Sequence, residues 1–198
     1  MWSWLAALIL FLASPVTAAN AHQYERMVSR TESSVVKITE QSHGGGQGIC
    51  TGIVIAQNRV LTAAHCQGDA MQADGRSAMI RKVDDFYDLL LLEVPTGRPF
   101  LPLSTHTPAR GETVTAIGYA WGWDRLTVLT VHVLLTHMAP APSIAVGLIT
   151  QGGYIGGMSG GPVVDADGAL VGIVQQTNDG IGYGVETPLI HAFLLGAL

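Results

Sequence analysis

Three side chains of the types that acyl transfer needs lie in three separate parts of the chain: His65, Asp88 and Ser159. A serine hydroxyl is a poor nucleophile until an imidazole takes its proton. A carboxylate in turn fixes the tautomer of that imidazole and stabilises its charged form. Ser159 stands in Gly156-Gly157-Met158-Ser159-Gly160-Gly161-Pro162. Glycine on both sides permits turn geometries that a Cβ resists. The serine is thereby lifted onto an exposed bend, with bare backbone N–H groups beside it of the kind a developing oxyanion requires. By itself such a stretch is more often a plain turn. His65, in Leu61-Thr62-Ala63-Ala64-His65-Cys66, reads alone as a satisfied core or loop histidine. Asp88 alone reads as a cap or turn acid, but it opens the run Leu89-Leu90-Leu91-Leu92. A carboxylate there is part-buried and needs a partner. Asp85 and Asp84, just upstream, are the substitutes if Asp88 is not the one.

The elements that must hold these groups read as strands. Gly and Pro are spread between many short apolar runs, which argues for β structure with many turns. After a short helix over His22–Thr31, strands are expected at 34–39, 48–56 and 59–62. A hairpin follows over 70–80 with Asp74-Gly75 at its turn, and then a strand over 88–94. The Pro-rich 95–102 looks like a link between two halves. The second half carries a strand at 113–118, an aromatic loop at 119–124 with Trp121 and Trp123, and a strand pair or one long bent strand over 125–137. A loop at 139–142 leads to a strand at 144–150. The serine turn is followed by a hairpin over 163–175, a strand at 182–186 and a terminal helix at 188–195, with Pro188 in its first turn. No internal repeat is visible, although the halves are similar in length and in strand content. The turn His43–Gly48 is not a phosphate loop, because Thr51 stands where the third glycine of G-x-G-x-x-G belongs.

Bulk properties narrow the partners. A formal charge of −5 with no Lys/Arg cluster argues against nucleic acid. With 48% hydrophobic and 13% charged residues, a folded core is expected rather than disorder. Residues 1–19 (MWSWLAALILFLASPVTAA) read as a secretory leader. The apolar run is short for a membrane span, Ser14-Pro15 breaks it, and small residues between 17 and 21 offer cleavage sites, although the leader carries no Lys or Arg. Cleavage would leave a secreted or periplasmic chain with no stable membrane insertion; the alternative is an uncleaved N-terminal anchor. In an exported chain the two cysteines, Cys50 and Cys66, read as one disulfide closing a loop of about 15 residues. Two free thiols or a metal pair are the other readings, but no C-x-x-C spacing supports metal. None of the seven histidines forms an H-x-x-x-H pair, so neither metal nor cofactor is expected.

Together these residues resemble a known family. Leu61-Thr62-Ala63-Ala64-His65-Cys66 and Gly157-Met158-Ser159-Gly160-Gly161-Pro162 look like the two signature motifs of chymotrypsin-like serine proteases. The step from Cys50 to Cys66 is similar to that family's disulfide beside the catalytic histidine. Over the middle, three segments are similar to HtrA/Deg-type and related short trypsin-like peptidases: 73–76 before 88–92, 110–118, and 167–173. The resemblance spans about residues 30–190 and leaves no room for a PDZ domain. It implies an all-β fold of two six-stranded antiparallel barrels, 20–102 and 103–198, with short terminal helices and the site between them. It implies a triad of His65, Asp88 and Ser159, and an oxyanion hole from the N–H groups of Gly157 and Ser159. By resemblance the substrate pocket is built from Gly153, Tyr154, Gln175, Thr177 and Gly184. No Asp or Glu lies in those segments, so a small or medium apolar residue is expected before the scissile bond. The expected function is a monomeric serine endopeptidase acting on polypeptides. A catalytically silent binding protein of the same fold and an esterase-like acyl hydrolase are the rivals. G-x-S-x-G occurs as a string, but a strand follows it rather than the helix of an α/β-hydrolase.

Overall fold

The structure is a computed structural model that describes residues 15–42, 44–137 and 147–197, with side chains described from residue 20 onward. The expected leader up to residue 14, the loop at 139–142 and the start of the strand expected at 144 lie outside the described residues. Helix α1 (Pro15–Ser33) leads into six strands: β1 (Val35–Gln41), β2 (Gln47–Ala56), β3 (Arg59–Thr62), β4 (Ala70–Ala73), β5 (Arg76–Asp84) and β6 (Leu89–Glu93). Six more follow: β7 (Thr113–Gly118), β8 (Thr127–Thr136), β9 (Leu148–Gln151), β10 (Pro162–Val164), β11 (Leu170–Asn178) and β12 (Ile181–Glu186). Helix α2 (Thr187–Leu194) ends the fold. Each set of six closes into an antiparallel barrel, in the orders β1-β2-β3-β6-β5-β4 and β7-β8-β9-β12-β11-β10. Among the described residues each strand therefore has a neighbour on both sides.

The leucine run of β6 shows how the barrels are joined. Leu89, Leu90, Leu91 and Leu92 are all fully buried, because successive strand residues face opposite sides. Leu90 and Leu92 point into the first barrel with Val36, Ile38, Val54 and Val60. Leu89 and Leu91 point outward into a second core with Ile53, Ile55 and Leu61 of the same barrel, Leu170, Ile173 and Val185 of the other, and Met27 of α1 and Phe193 of α2. Full burial of each leucine is worth about 1.5–3 kcal/mol, so this shared core fixes one barrel against the other. It explains why the run has no polar alternation: a strand buried on both faces needs none.

The turns follow their residue types. Asp74-Gly75 and Asp179-Gly180 both take positive φ at both positions, as two-residue hairpins of the primed type require. The segment 127–136 is one strand, bent where its register with β9 shifts between Val133 and Leu135. Helix α1 is longer than the stretch expected over His22–Thr31. Pro15 is tolerated in a first helical turn, where its missing N–H has no partner to lose, and nothing between it and His22 breaks the helix. Cys50 and Cys66 form the disulfide, tying β2 to the short 3-10 turn Ala64–Cys66. Among the described residues no helix is long and apolar enough to cross a membrane.

Candidate active site

His65 sits in the 3-10 turn that follows β3, and Asp88 in the turn between β5 and β6. Three bonds lock the two turns together. Ala64 N–H donates to Asp88 O (3.1 Å) and His65 N–H to Asp88 Oδ1 (2.8 Å). The third joins His65 Nδ1 to Asp88 Oδ2 at 2.8 Å. A carboxylate only accepts hydrogen bonds, so Nδ1 carries the ring proton and the Nε2 lone pair is left free. Asp88 holds φ +55, a left-handed conformation that aspartate tolerates better than most residues. Its side chain is 12% exposed, whereas that of His65 is 47% exposed. The carboxylate is thus shielded on the side away from solvent and the imidazole is open on its other edge. Asp84 is engaged elsewhere: its Oδ1 accepts from Tyr87 N–H (2.9 Å) within the β5–β6 turn.

Ser159 comes from the β9–β10 connection of the second barrel and is drawn to the first by its own carbonyl. Thr51 N–H donates to Ser159 O (2.8 Å), and Cys66 Sγ lies 4.0 Å from that same oxygen. Ser159 is therefore beside the residue that follows His65. Its hydroxyl donates to Gln175 O (3.3 Å), not to the imidazole. Gly160 and Gly161 are glycines because of this approach. A Cβ on Gly160 would stand 2.1 Å from Thr62 Oγ1 and 2.4 Å from Thr51 O, and one on Gly161 2.5 Å from Ile117 O.

The turn before the serine is shaped to release two N–H groups. Met158 N–H donates to Ile155 O (3.0 Å), and Gly157 holds φ +92. That bond with positive φ at the third residue is a type II turn, which calls for glycine there. Trp121 N–H holds the Gly156 carbonyl at 2.6 Å. With that oxygen fixed, the Gly157 N–H of the same peptide is directed the opposite way. Among the described residues neither Gly157 N–H nor Ser159 N–H has an acceptor.

Thr51, in β2, was not expected at the site from the sequence, yet it knits the turn to both barrels. Its Oγ1 donates to Gly157 O (2.8 Å) and accepts from Tyr119 N–H (2.9 Å). Its carbonyl accepts from Thr62 Oγ1 (2.8 Å). It proves fully buried, but in the sequence it is only a lone threonine within an apolar strand, which does not reveal its partners.

The residues expected to form a pocket gather beside β11 and β12. Tyr154 N–H donates to Thr177 Oγ1 (2.6 Å), and that hydroxyl donates to Tyr154 O (2.9 Å). Gly153 abuts Thr177, where a Cβ would come within 2.5 Å of Cγ2. The Tyr154 ring lies against Gly182, and its hydroxyl accepts from Thr150 Oγ1 (3.1 Å). Burial pushes the Tyr154 phenol up to about 12. Gln175 is buried, and its Oε1 has no hydrogen-bond partner. Gly184 lies deeper, packed on Ile173 O and Leu148 within the barrel wall. Cys50, His65 and Cys66 are the one group of metal-ligating types that converges among the described residues. Their two sulfurs are already bonded to each other.

Two closed six-stranded barrels, with an imidazole–carboxylate pair on one and a serine in a glycine turn on the other, define the class of chymotrypsin-like serine endopeptidases. Residues 50–173 match the trypsin-like peptidase domain family, and the chain belongs to it. It is 26% identical to the mitochondrial serine protease HTRA2 of Bos taurus over 96% of its own length and 46% of the relative's. The chain thus spans about half of that curated relative. Among solved structures, the active form of the Rv3671c protease from M. tuberculosis aligns with a TM-score of 0.76 and 22% identity, covering 98% of this chain and 92% of that one. The serine endoprotease from Yersinia pestis aligns with a TM-score of 0.72 and 24% identity, covering 85% and 64%. At these identities the structural likeness speaks to the fold.

Proposed function

We propose that the protein hydrolyses peptide bonds through an acyl-enzyme on Ser159. The observation that carries this reading is the pairing of His65 Nδ1 with Asp88 Oδ2 at 2.8 Å, which leaves Nε2 unpaired to act as a base, one residue from the Cys66 that lies against Ser159 O. The Ser159 hydroxyl turns from Gln175 O to Nε2, gives up its proton and attacks the scissile carbonyl. The imidazolium then protonates the leaving amine. Water, deprotonated by the same Nε2, releases the acyl group. The N–H groups of Gly157 and Ser159 receive the oxyanion in both steps. His65 must be neutral to begin the cycle.

The residue before the scissile bond is small or medium and apolar. Tyr154 supports this: its ring packs against Gly182 and its hydroxyl is held by Thr150, so the ring takes up space between 150, 177 and 182. Export by a cleaved leader over residues 1–19 is supported by the disulfide, which persists in oxidising compartments. Closed barrels, in which every described strand has a neighbour on both sides, agree with a monomer. The test is to incubate the purified chain with a fluorophosphonate probe and a mixed peptide library, with Ser159→Ala as control. Covalent labelling and cleavage after small apolar residues, both absent from the variant, are expected. No labelling refutes the mechanism, and a profile dominated by Lys or Arg refutes the pocket. N-terminal sequencing of the mature chain reads the leader.

A further inference from the structure

Cys50, Cys66 and His65 offer one ligand atom each, and the three atoms lie within 4.8 Å of one another. The disulfide uses both sulfurs. A disulfide is made from two thiols, however, and the folded chain before oxidation carries those thiols beside the imidazole. Three observations suit this reduced form to a metal ion.

The first is the donor set. Two thiolates and one imidazole form a ligand set that zinc takes, with water in the fourth place. Bonds of about 2.0–2.3 Å to zinc set tetrahedral ligand atoms roughly 3.3–3.8 Å apart. Once their bond is cut, the sulfurs need to part by about 2 Å to reach that spacing, which side-chain rotation supplies at a Cα–Cα distance of 6.2 Å. The second is the imidazole. Nδ1–H is committed to Asp88 Oδ2, and Asp88 is itself fixed by His65 N–H on Oδ1, each at 2.8 Å. A metal-binding histidine characteristically gives its other ring N–H to a carboxylate, so Nε2 is the nitrogen left for a metal. The third is the surroundings. Cys50 and Cys66 are 7% and 2% exposed and pack with Ala63, Ala64 and Met71. Thiols in such an apolar wall ionise poorly on their own, and a divalent cation supplies the charge that two buried thiolates require. The exposed imidazole gives the ion its way in.

We propose that, before Cys50 and Cys66 are joined, the chain binds one zinc ion through their two thiolates and His65 Nε2, with Asp88 behind the imidazole. Binding releases the two thiol protons. Oxidation reverses it. A disulfide oxidant takes two electrons from the thiolates and, with two protons, becomes two thiols; the Cys50–Cys66 bond forms and Zn²⁺ leaves. The ion holds the lone pair that the base needs. It also sits close to the serine turn, because Cys66 Sγ stands 4.0 Å from Ser159 O. The zinc site stands without the peptidase reading. Its consequence, a chain that is silent while reduced and active once oxidised, rests on that reading.

The test starts from the full chain, reduced with a phosphine and passed through gel filtration without oxygen, with circular dichroism to check that it keeps its strands. Cobalt(II), a coloured stand-in for zinc, is expected to bind at about one ion per chain and to show the near-ultraviolet absorption of a metal–thiolate bond. The oxidised chain and Cys50→Ser are expected to lack that absorption, whereas reduced Ser159→Ala keeps it. Asp88→Asn is expected to weaken zinc affinity about 10–100-fold. Zinc is expected to slow fluorophosphonate labelling of the reduced chain about a hundredfold or more, the share a general base contributes. A chelator restores labelling, and the same zinc leaves the oxidised chain unaffected. A reduced chain that unfolds, that shows no thiolate absorption, or that labels as fast with zinc as without it overturns the proposal. An oxidised chain that never labels, beside a reduced one that shows the absorption, removes the peptidase reading and leaves the metal site standing.

Discussion

Asp88→Asn tests the heart of the site, because the change is nearly isosteric and the consequence can be worked out atom by atom. The backbone is not disturbed, since asparagine accepts the left-handed φ of +55 as readily as aspartate. The carboxylate accepts from two donors of one residue, His65 N–H and Nδ1–H, each at 2.8 Å. An amide offers one acceptor and one donor in the same two places. The backbone N–H cannot change role, so the amide oxygen stays on it and the NH2 faces Nδ1. The ring responds by moving its proton to Nε2, the nitrogen required as base. A fall of about 10⁴ in kcat is expected, close to 5 kcal/mol of transition-state stabilisation. Folding loses one charge-assisted hydrogen bond, at a cost of about 1 kcal/mol. The assay is kcat on a peptide amide across pH, with thermal unfolding measured alongside. An Asn variant within about tenfold of wild type refutes the reasoning. So does an Asp84→Asn variant that fails where Asp88→Asn survives, because Asp84 is assigned only to the Tyr87 N–H.

Two further outcomes follow from the same geometry. Gly157→Ala puts a Cβ 2.3 Å from Tyr119 O at φ +92. The peptide before it must then rotate, one oxyanion donor is lost, and kcat on the same amide falls about 10²–10³-fold; an unchanged kcat would show that this N–H takes no part. Tyr154 bears on alkaline stability. Its folded-state pKa, pushed up to about 12, lies above the ordinary 10.0. Below pH 10 both states carry the neutral phenol and the shift costs nothing. Above it the unfolded chain ionises first, and stability falls by about 1–2 kcal/mol towards pH 11. Denaturant midpoints at pH 9 and 11 are expected to differ less for Tyr154→Phe than for wild type, and equal differences would contradict the burial argument.

Much of the site was legible because its chemistry is carried by side chains in short motifs. The glycines around Ser159, the histidine after β3 and the acid before four leucines each leave a local mark. The leucine run itself was readable as a strand, although its two-sided burial was not, because periodicity does not say what covers the second face. Thr51 was not legible: its partners Tyr119 and Gly157 are 68 and 106 residues away. The role of Trp121 was hidden for another reason. It acts on Gly156 through a backbone N–H, which every residue but proline possesses, and its left-handed φ carries no sequence signature in a tryptophan. The start of α1 was placed late because residues 15–19 were read as the end of a leader, whereas Pro15, acceptable in a first helical turn, opens the helix.

The strand orders have a consequence for how such a site comes to exist. Written from their first strands, the barrels run 1-2-3-6-5-4 and 7-8-9-12-11-10, the same plan shifted by six. His65 lies in the third-to-fourth strand connection of one barrel, and Ser159 in the third-to-fourth connection of the other. The proposed base and nucleophile therefore occupy the same connection of one strand plan that the chain uses twice. Two identical halves would bring like against like there, two bases or two nucleophiles, and would catalyse nothing. On the proposed mechanism, what makes the pair reactive is that the two connections differ. In one barrel this connection holds a 3-10 turn tied down by a disulfide, and in the other it is rich in glycine. The chemistry is a broken symmetry, and the barrels are the part of the molecule that still preserves it.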